Sequence, residues 1–330
     1  MSTEDPTLSA AYRAISVTFK TLVRRSRQMT QFLKEAEGIA DSSVNVLLIG
    51  ETGTGKNLIA QAIHNASSRA GGPFVAINCS AIPDTLLEAE LFGAEEGAYT
   101  DSRKTRRGRF ESAHGGTLFL DEIGDLSPQA QAKILHATEY KEFTRVGGEA
   151  TIRADVRIVA ATNAPLEQRV EQGAFRQDLF YRLNEVTLRV PPLRERKECI
   201  PALVELFIEE CNEKYGKHVR KVDKATLALL AQHDWPGNVR ELRGLIRRGV
   251  AAAISDTLSM EELQLKLSLV SNDHTIDGGR DLSLAALEKR HIGAVLEYTG
   301  WVKAEAARLL DITRPTLDRK IEQYGLKRPE

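Results

Sequence analysis

The chain of 330 residues reads as an α/β protein built on a parallel sheet, with a small helical subdomain behind it and an all-α domain at its C-terminus. Three observations predict this. Short, nearly continuous apolar runs alternate with segments of helical apolar spacing, the pattern of strands covered on both faces. Pro191-Pro192 closes that alternation, and from there to about Leu269 the spacing reads as helix throughout. Near the end, Ala304–Leu310 and Thr313–Tyr324 are two short helical stretches around a tight turn, the outline of a helix-turn-helix.

Composition sets outer bounds. Apolar residues make up 42% and charged residues 28%, and the net charge is −1, which is ordinary for a soluble globular protein; no internal repeat or low-complexity tract is evident. With the charge so balanced, any basic face for nucleic acid must be local. Cys79, Cys199 and Cys211 lack metal-ligand spacing and read as thiols in a reducing compartment. No apolar run has membrane-spanning length, and Met1-Ser-Thr-Glu-Asp-Pro6 carries no basic and apolar leader. The expectation is a cytoplasmic protein with no membrane partner.

The element that fixes the chemistry is Gly50-Glu51-Thr52-Gly53-Thr54-Gly55-Lys56. It follows the apolar run Val44-Asn-Val-Leu-Leu-Ile49 and precedes Asn57-Leu-Ile-Ala-Gln-Ala-Ile-His64, which has helical spacing. Strand, glycine-rich turn and helix form the context of a phosphate-binding loop, whose glycines let successive N–H groups face phosphate oxygens at a helix N-terminus. Lys56 reaches toward the β- and γ-phosphates. Asn57 stands where Ser or Thr usually helps to hold magnesium, and its carbonyl is a weak ligand at best. Thr117-Leu-Phe-Leu-Asp121-Glu122 is an apolar strand ending in two carboxylates, at the strand end where α/β sheets bind ligands. Asp121 is therefore expected to hold Mg2+, and Glu122 to orient and polarise the attacking water. Mg2+ is the implied metal cofactor.

The remaining elements follow in order. Residues 1–22 form a short N-terminal segment. Gln28–Ala40 is a helix with Met29, Phe32, Leu33, Ala36 and Ile39 on its apolar face. Pro73–Asn78 is a strand, and Asp84 reads as an N-cap before Thr85–Leu91. Residues 93–109 break the rhythm. Gly97-Ala98-Tyr99-Thr100-Asp101-Ser102 is rich in small residues around one aromatic, and Arg103-Lys-Thr-Arg-Arg107 follows. Composition alone favours a solvated loop; the other reading is an arm projecting toward a partner. Pro128–Tyr140 is a helix, Glu142–Ile152 a hairpin turning at Gly147-Gly148, and Val156–Asn163 a central strand ending in polar residues. Phe175–Asn184 reads as a helix bearing Arg176 and Arg182, and Glu185–Val190 as a last strand, so that the α/β part spans 23–191. Pro201–Glu213, Ala225–Gln232 and a helix opened by Val239 form the lid, 192–270; 271–282 is a polar linker.

The C-terminal domain is placed at 283–330, beginning with a helix over Leu284–Leu296. Thr313 is a cap and Pro315 sits in the first turn of the last helix. Residues 299–328 hold seven Lys or Arg against four Asp or Glu, a small local excess. Thr313, Arg314, Thr316, Asp318, Arg319 and Lys320 are the candidate DNA contacts, with a dimerisation hairpin as the competing reading of the same pattern.

Taken together these motifs resemble one family, the bacterial enhancer-binding proteins, AAA+ transcriptional activators of sigma-54 RNA polymerase. The resemblance runs from about residue 23 to the C-terminus. It rests on the loop Gly50–Lys56, on Asn78-Cys79 with Glu88-Ala-Glu-Leu-Phe-Gly93, and on Gly115–Glu122. It continues through Ala161-Thr-Asn163, Phe175–Asn184, Pro192-Leu-Arg-Glu-Arg196, Trp235-Pro-Gly-Asn-Val-Arg-Glu-Leu242 and a Fis-like C-terminus. The resemblance implies that Lys56, Asp121 and Glu122 bind and hydrolyse ATP with Mg2+, and that Asn78 holds Glu122 away from water until the γ-phosphate is sensed. It implies that Thr162 and Asn163 sense that phosphate, that Arg240 contacts it from the lid, and that Arg176 and Arg182 act on a neighbouring subunit's nucleotide. A finger in trans implies a ring, a hexamer in this family. The implied partners are upstream enhancer DNA, sigma-54 and RNA polymerase, and further copies of the chain. No receiver or ligand-sensing domain is recognisable ahead of residue 23, which points to control by a protein acting in trans, by assembly or by abundance.

The departures open rival readings. The family's contact loop reads Gly-Ala-Phe-Thr-Gly-Ala; here Tyr99 keeps the aromatic and Thr100 is retained, but Asp101 and Ser102 replace the flexible pair. One rival is a regulator that keeps the ATPase and works through another polymerase form. Another is a DNA-bound adaptor whose nucleotide site controls assembly alone. Asn57 stands for an acidic residue, Asp311 for a turn glycine, and Asp318 puts an acid on the recognition helix, where it accepts from cytosine or repels phosphate.

Overall fold

The structure is a computed structural model describing residues 17–98, 105–259, 263, 288–289, 291–293, 295–296, 299–310 and 312–326. The chain divides into two compact units, Met1–Leu265 and Lys266–Glu330.

The first unit is built on a five-stranded parallel sheet. Its strands are β1 (Val46–Ile49), β2 (Phe74–Asn78), β5 (Thr117–Asp121), β8 (Arg157–Thr162) and β9 (Val186–Arg189), in the order β2-β5-β8-β1-β9. Their registers are continuous from Asn78↔Asp121 through Leu120↔Ala160 and Leu47↔Ala160 to Leu47↔Thr187. Alternate residues feed opposite faces, as the pleat demands. Val46, Leu48, Phe119, Val159 and Ala161 pack with α1 (Arg27–Gly38) and α2 (Lys56–Asn65). Leu47, Leu118, Leu120, Ile158 and Ala160 pack on the other side with α3 (Asp84–Phe92) and, further along, α5 (Pro128–Tyr140) and α7 (Gln177–Leu183). The helix of Pro128–Tyr140 agrees with its expected bounds, with Ser127 accepting the Ala130 N–H as its cap.

Smaller elements complete the frame. β3 (Gly93–Ala94) pairs antiparallel with β4 (Arg106–Arg107), and α4 (Arg109–Ser112) follows. β6 (Glu142–Thr144) and β7 (Thr151–Arg153) form the expected hairpin. α6 (Leu166–Glu171) lies before α7. Two boundaries differ from the sequence reading. Asp84 is the first helical residue, Pro83 takes the cap place, and the carboxylate meets the helix dipole from the first turn instead. Arg176 is extended (φ −70°, ψ 132°) and stands at the cap of α7, not within it.

The lid consists of α8 (Ile200–Tyr215), α9 (Lys224–Gln232) and α10 (Asn238–Ala252), packed on Trp235, Leu242, Ile246 and Val250. Contrary to the sequence reading, it is not wholly helical. β10 (Lys221–Val222) and β11 (Thr257–Leu258) pair in parallel, too short to show a two-residue periodicity. The linker 271–282 lies outside the described residues. In the second unit, the described residues within 288–296 are helical, and α11 (Lys303–Leu309) and α12 (Arg314–Tyr324) follow. Ile292, Leu296, Ala306, Ala307 and Leu317 form its core.

Candidate nucleotide site

The loop 50–55 carries β1 into α2. Gly53 and Gly55 have φ of +82° and +101°, where a side chain would be strained. A Cβ on Gly55 would meet nothing within 4 Å, whereas one on Gly53 would lie 2.4 Å from the Gly237 carbonyl of the lid. One glycine thus opens a cradle to a ligand and the other lets the lid close on the loop from behind.

Lys56 opens α2 and is buried. Its ammonium donates to the carbonyls of Gly50 (2.8 Å) and Glu51 (3.4 Å) and lies 3.6 Å from Glu122 Oε1. Asp121 ends β5 and accepts the Glu122 N–H (3.1 Å). Burial, and then the Glu122 charge, raise its carboxyl above the usual aspartate value. The same negative field, after desolvation, pushes the buried Cys79 thiol up to about 12. A site that penalises the Asp121 carboxylate is suited to a cation. Among the described residues no group of three His, Cys, Asp or Glu could hold a metal alone. One carboxylate beside a phosphate cradle is the donor set magnesium takes when it arrives with a nucleotide. The residues present therefore fit Mg2+ and ATP.

Glu122 has φ 54°, an uncommon backbone for a residue with a Cβ and one that clusters at functional positions. Its Oε2 accepts the Asn163 N–H (3.1 Å), and the Asn163 amide donates to Thr52 Oγ1 (2.9 Å). Asn163 thus bridges Glu122 and the phosphate loop. Thr162 is fully buried; its hydroxyl accepts the Ala164 N–H (2.9 Å) and its carbonyl the Gly50 N–H (3.1 Å). Asn78 lies beside Asp121 in register, and its Oδ1 accepts from the Ser80 N–H (3.0 Å) and hydroxyl (2.9 Å). Thr54 is buried and donates to the Glu51 carbonyl (2.8 Å), while Asn57 is exposed in the first turn of α2. Arg240 docks its backbone N–H on the Gly53 carbonyl (3.3 Å), and its charge acts on Asp121.

Sequence reasoning assigned Glu51 to the nucleotide. The structure turns its carboxylate to Arg194 (2.6 and 2.8 Å) and Asn238 (3.0 Å), and Arg194 is the first cause that lowers its pKa. The expected fingers find local partners. Arg176 pairs with Asp178 (2.6 Å), and Arg182 donates to the Thr138 carbonyl (2.9 Å) and lies 3.6 Å from Glu185, with its Nε buried and without a hydrogen-bond partner.

Of the expected contact arm, Gly97 and Ala98 are described; Tyr99, Thr100, Asp101 and Ser102 lie outside the described residues. Its root is well tied. Ala94 bridges Val146 of the hairpin, and Arg145 joins Glu95 (2.7 Å) to Glu111 (3.0 Å).

In the second unit Thr313 caps α12, accepting the Thr316 N–H (3.4 Å). Arg314 and Arg319 are exposed. Two expected DNA contacts have partners inside the unit: Asp318 pairs with Lys303 (2.7 Å), and Lys320 with Glu288 (2.5 Å), which also accepts from the Tyr324 hydroxyl. Both side chains are thereby engaged within the unit.

Comparisons with known proteins agree with this geometry. Residues 22–189 match the sigma-54 interaction domain, 194–276 the AAA+ ATPase lid domain, and 283–324 the Fis family of bacterial regulatory proteins. The chain is 43% identical over 320 residues to the Nif-specific regulatory protein of Azotobacter vinelandii, covering 92% of this chain and 59% of that protein. It is 43% identical to the transcriptional regulatory protein ZraR of Escherichia coli K12, covering 96% and 71%. To the DNA-binding transcriptional regulator NtrC of Rhizobium meliloti it is 42% identical, covering 92% and 70%. The chain thus spans less than two thirds of the Nif-specific regulator. Crystal structures of NtrX from Brucella abortus with ADP and with ATP match at TM-scores of 0.70 and 0.71 and 33% identity, covering 97% of this chain and 72% and 73% of theirs. With the loop, the paired carboxylates, the lid and the helix-turn-helix in one order, the chain belongs to the bacterial enhancer-binding proteins, the sigma-54-interacting AAA+ transcriptional activators.

Proposed function

We propose that the chain is a DNA-bound, ATP-hydrolysing activator that remodels closed complexes of sigma-54 RNA polymerase. The observation that carries this reading is the cluster at the carboxyl edge of the sheet, where Glu122 stands next to Asp121 and between Lys56 and Asn163. Lys56 exchanges its loop carbonyls for phosphate oxygens. Asp121 takes the metal, which when bound neutralises charge on the β- and γ-phosphates. Glu122 accepts a proton from the attacking water. Asn163 reports the state of the γ-phosphate to Glu122 through the N–H they share, and Asn78 withdraws Glu122 from water until then. Arg240 reaches the nucleotide from the lid; Arg176 and Arg182 reach a neighbour's nucleotide in a ring, a hexamer by family resemblance. Transcription in vitro with purified sigma-54 polymerase and with housekeeping polymerase tests the reading. Open-complex formation only with the latter would hand the function to the rival regulator.

Residues 97–102 are the proposed sigma-54 contact. Thr100→Ala is expected to keep ATP hydrolysis and lose activation, and Asp101→Gly with Ser102→Ala to preserve or improve engagement. The measurement is capture of purified sigma-54 by protein trapped with an ATP transition-state analogue. Capture by the double variant alone, with none by the native loop, would mean that this loop has left sigma-54 behind.

DNA binding is assigned to residues 284–330. Removing them is expected to leave ATPase activity and abolish specific retention on DNA. Arg314 and Arg319 are the exposed phosphate contacts; losing either should lower the salt slope of binding by about 1 per subunit bound. A truncated chain that still footprints its site would refute the assignment.

A further inference from the structure

A phosphate loop can offer its N–H groups to a ligand only if its carbonyls turn elsewhere and are satisfied there. Here each carbonyl from Gly50 to Thr54 has a donor. Lys56 Nζ serves Gly50 (2.8 Å) and Thr54 Oγ1 serves Glu51 (2.8 Å), both from the loop and the helix it opens. The next three are served from beyond the sheet. Asn238 Nδ2 donates to Thr52 (3.2 Å), the Arg240 N–H to Gly53 (3.3 Å) and the Arg196 guanidinium to Thr54 (2.7 Å).

These donors are costly to place. Arg196 is only 4% exposed, has no carboxylate partner among the described residues, touches the Met29 sulfur (3.1 Å) and leaves its Nε unpaired. A buried cation so poorly compensated costs the fold stability. Asn238 is fully buried in the left-handed region (φ 52°), with its Oδ1 fixed by the Leu193 N–H (2.8 Å). Its amide also reaches Glu51 Oε2 (3.0 Å), which the Arg194 fork holds.

We propose that Arg194, Arg196 and Asn238 are positioning residues for ATP: they lock the carbonyl face of the phosphate loop, so that the lid side sets how tightly the N–H face holds the phosphates. This rests on the reading of the loop as an ATP site. It gives Glu51 a role the motif alone does not suggest, as the loop's handle for the lid.

The test uses the full chain, with ADP affinity measured by calorimetry and steady-state ATP hydrolysis beside it. Asn238→Asp keeps the shape, the acceptor to Leu193 and tolerance of positive φ. It replaces the donor by an oxygen facing Glu51 and the Thr52 carbonyl. The ADP Kd and the ATP KM are expected to rise about tenfold or more, with kcat falling less than about threefold, the scale of one charge-assisted bond lost. Arg194→Gln, at an exposed position that the core does not need, should raise the ADP Kd roughly threefold to tenfold. Wild-type ADP affinity in both Asn238→Asp and Arg194→Gln would overturn the proposal. A wild-type chain that binds neither ADP nor ATP would instead overturn the ATPase reading itself, before any variant is made.

Discussion

Glu122→Gln is expected to bind ATP as the wild type does and to turn it over about 10²–10⁴-fold more slowly, the range for loss of a positioned general base. The substitution is nearly isosteric. It keeps the Cβ, so the backbone at φ 54° is no more strained than before. It keeps an oxygen that can accept the Asn163 N–H, and it leaves the glycine cradle and Lys56 intact. What it removes is the negative charge 3.6 Å from the Lys56 ammonium and the ability to take a proton from water. Nucleotide binding and single-turnover hydrolysis measured on the same preparation separate the two effects. Wild-type turnover would take Glu122 out of the mechanism, and loss of binding would make it a structural partner of Lys56.

Much of this site was legible in the sequence because it depends on local backbone chemistry. A glycine-rich turn between an apolar run and a helical one admits few conformations, and an apolar strand ending in two acids puts both at the ligand edge. The sheet was legible for the same reason: strands buried on both faces are short apolar runs. What escaped were side chains whose partners are far away in the chain. Arg157 sits within a central strand and breaks the apolar pattern. It donates to the carbonyls of Val44 (3.2 Å) and Ile39 (3.2 Å) at the end of α1, and is buried there as a strut between helix and sheet. Glu51 reads as a loop residue, yet its partners Arg194 and Asn238 lie more than 140 positions later. Lys320 reads as one more basic residue on a recognition helix until Glu288 is found beside it. No periodicity reports such pairs. The acidic Asp318 could have prompted a search for its neutralising partner, since an unpaired acid facing phosphate would repel it.

Arg182→Ala is expected to lower turnover by roughly 10³–10⁵-fold, the scale of an arginine finger in nucleotide hydrolases. Within its own chain Arg182 does not serve the phosphate loop. One arm of its fork rests on the Thr138 carbonyl, near Glu185, and its Nε is buried without a partner. The side chain is still 39% exposed, so its outer nitrogens are open to a neighbouring subunit. Arg176 stands at the cap of the same helix and pairs with the exposed Asp178, a contact that solvent weakens and that a nucleotide phosphate could replace. The decisive measurement mixes two inactive proteins. Arg182→Ala retains a complete loop and lacks the finger; Lys56→Ala retains the finger and lacks the loop's ammonium. In a closed head-to-tail ring assembled at random from equal parts, about a quarter of the interfaces join an intact loop to an intact finger, so turnover per subunit should return to roughly that fraction of wild type. Energy transfer between labelled subunits establishes that they exchange. If they do and activity stays at the level of either parent, Arg182 acts within its own chain and the ring assignment loses its support.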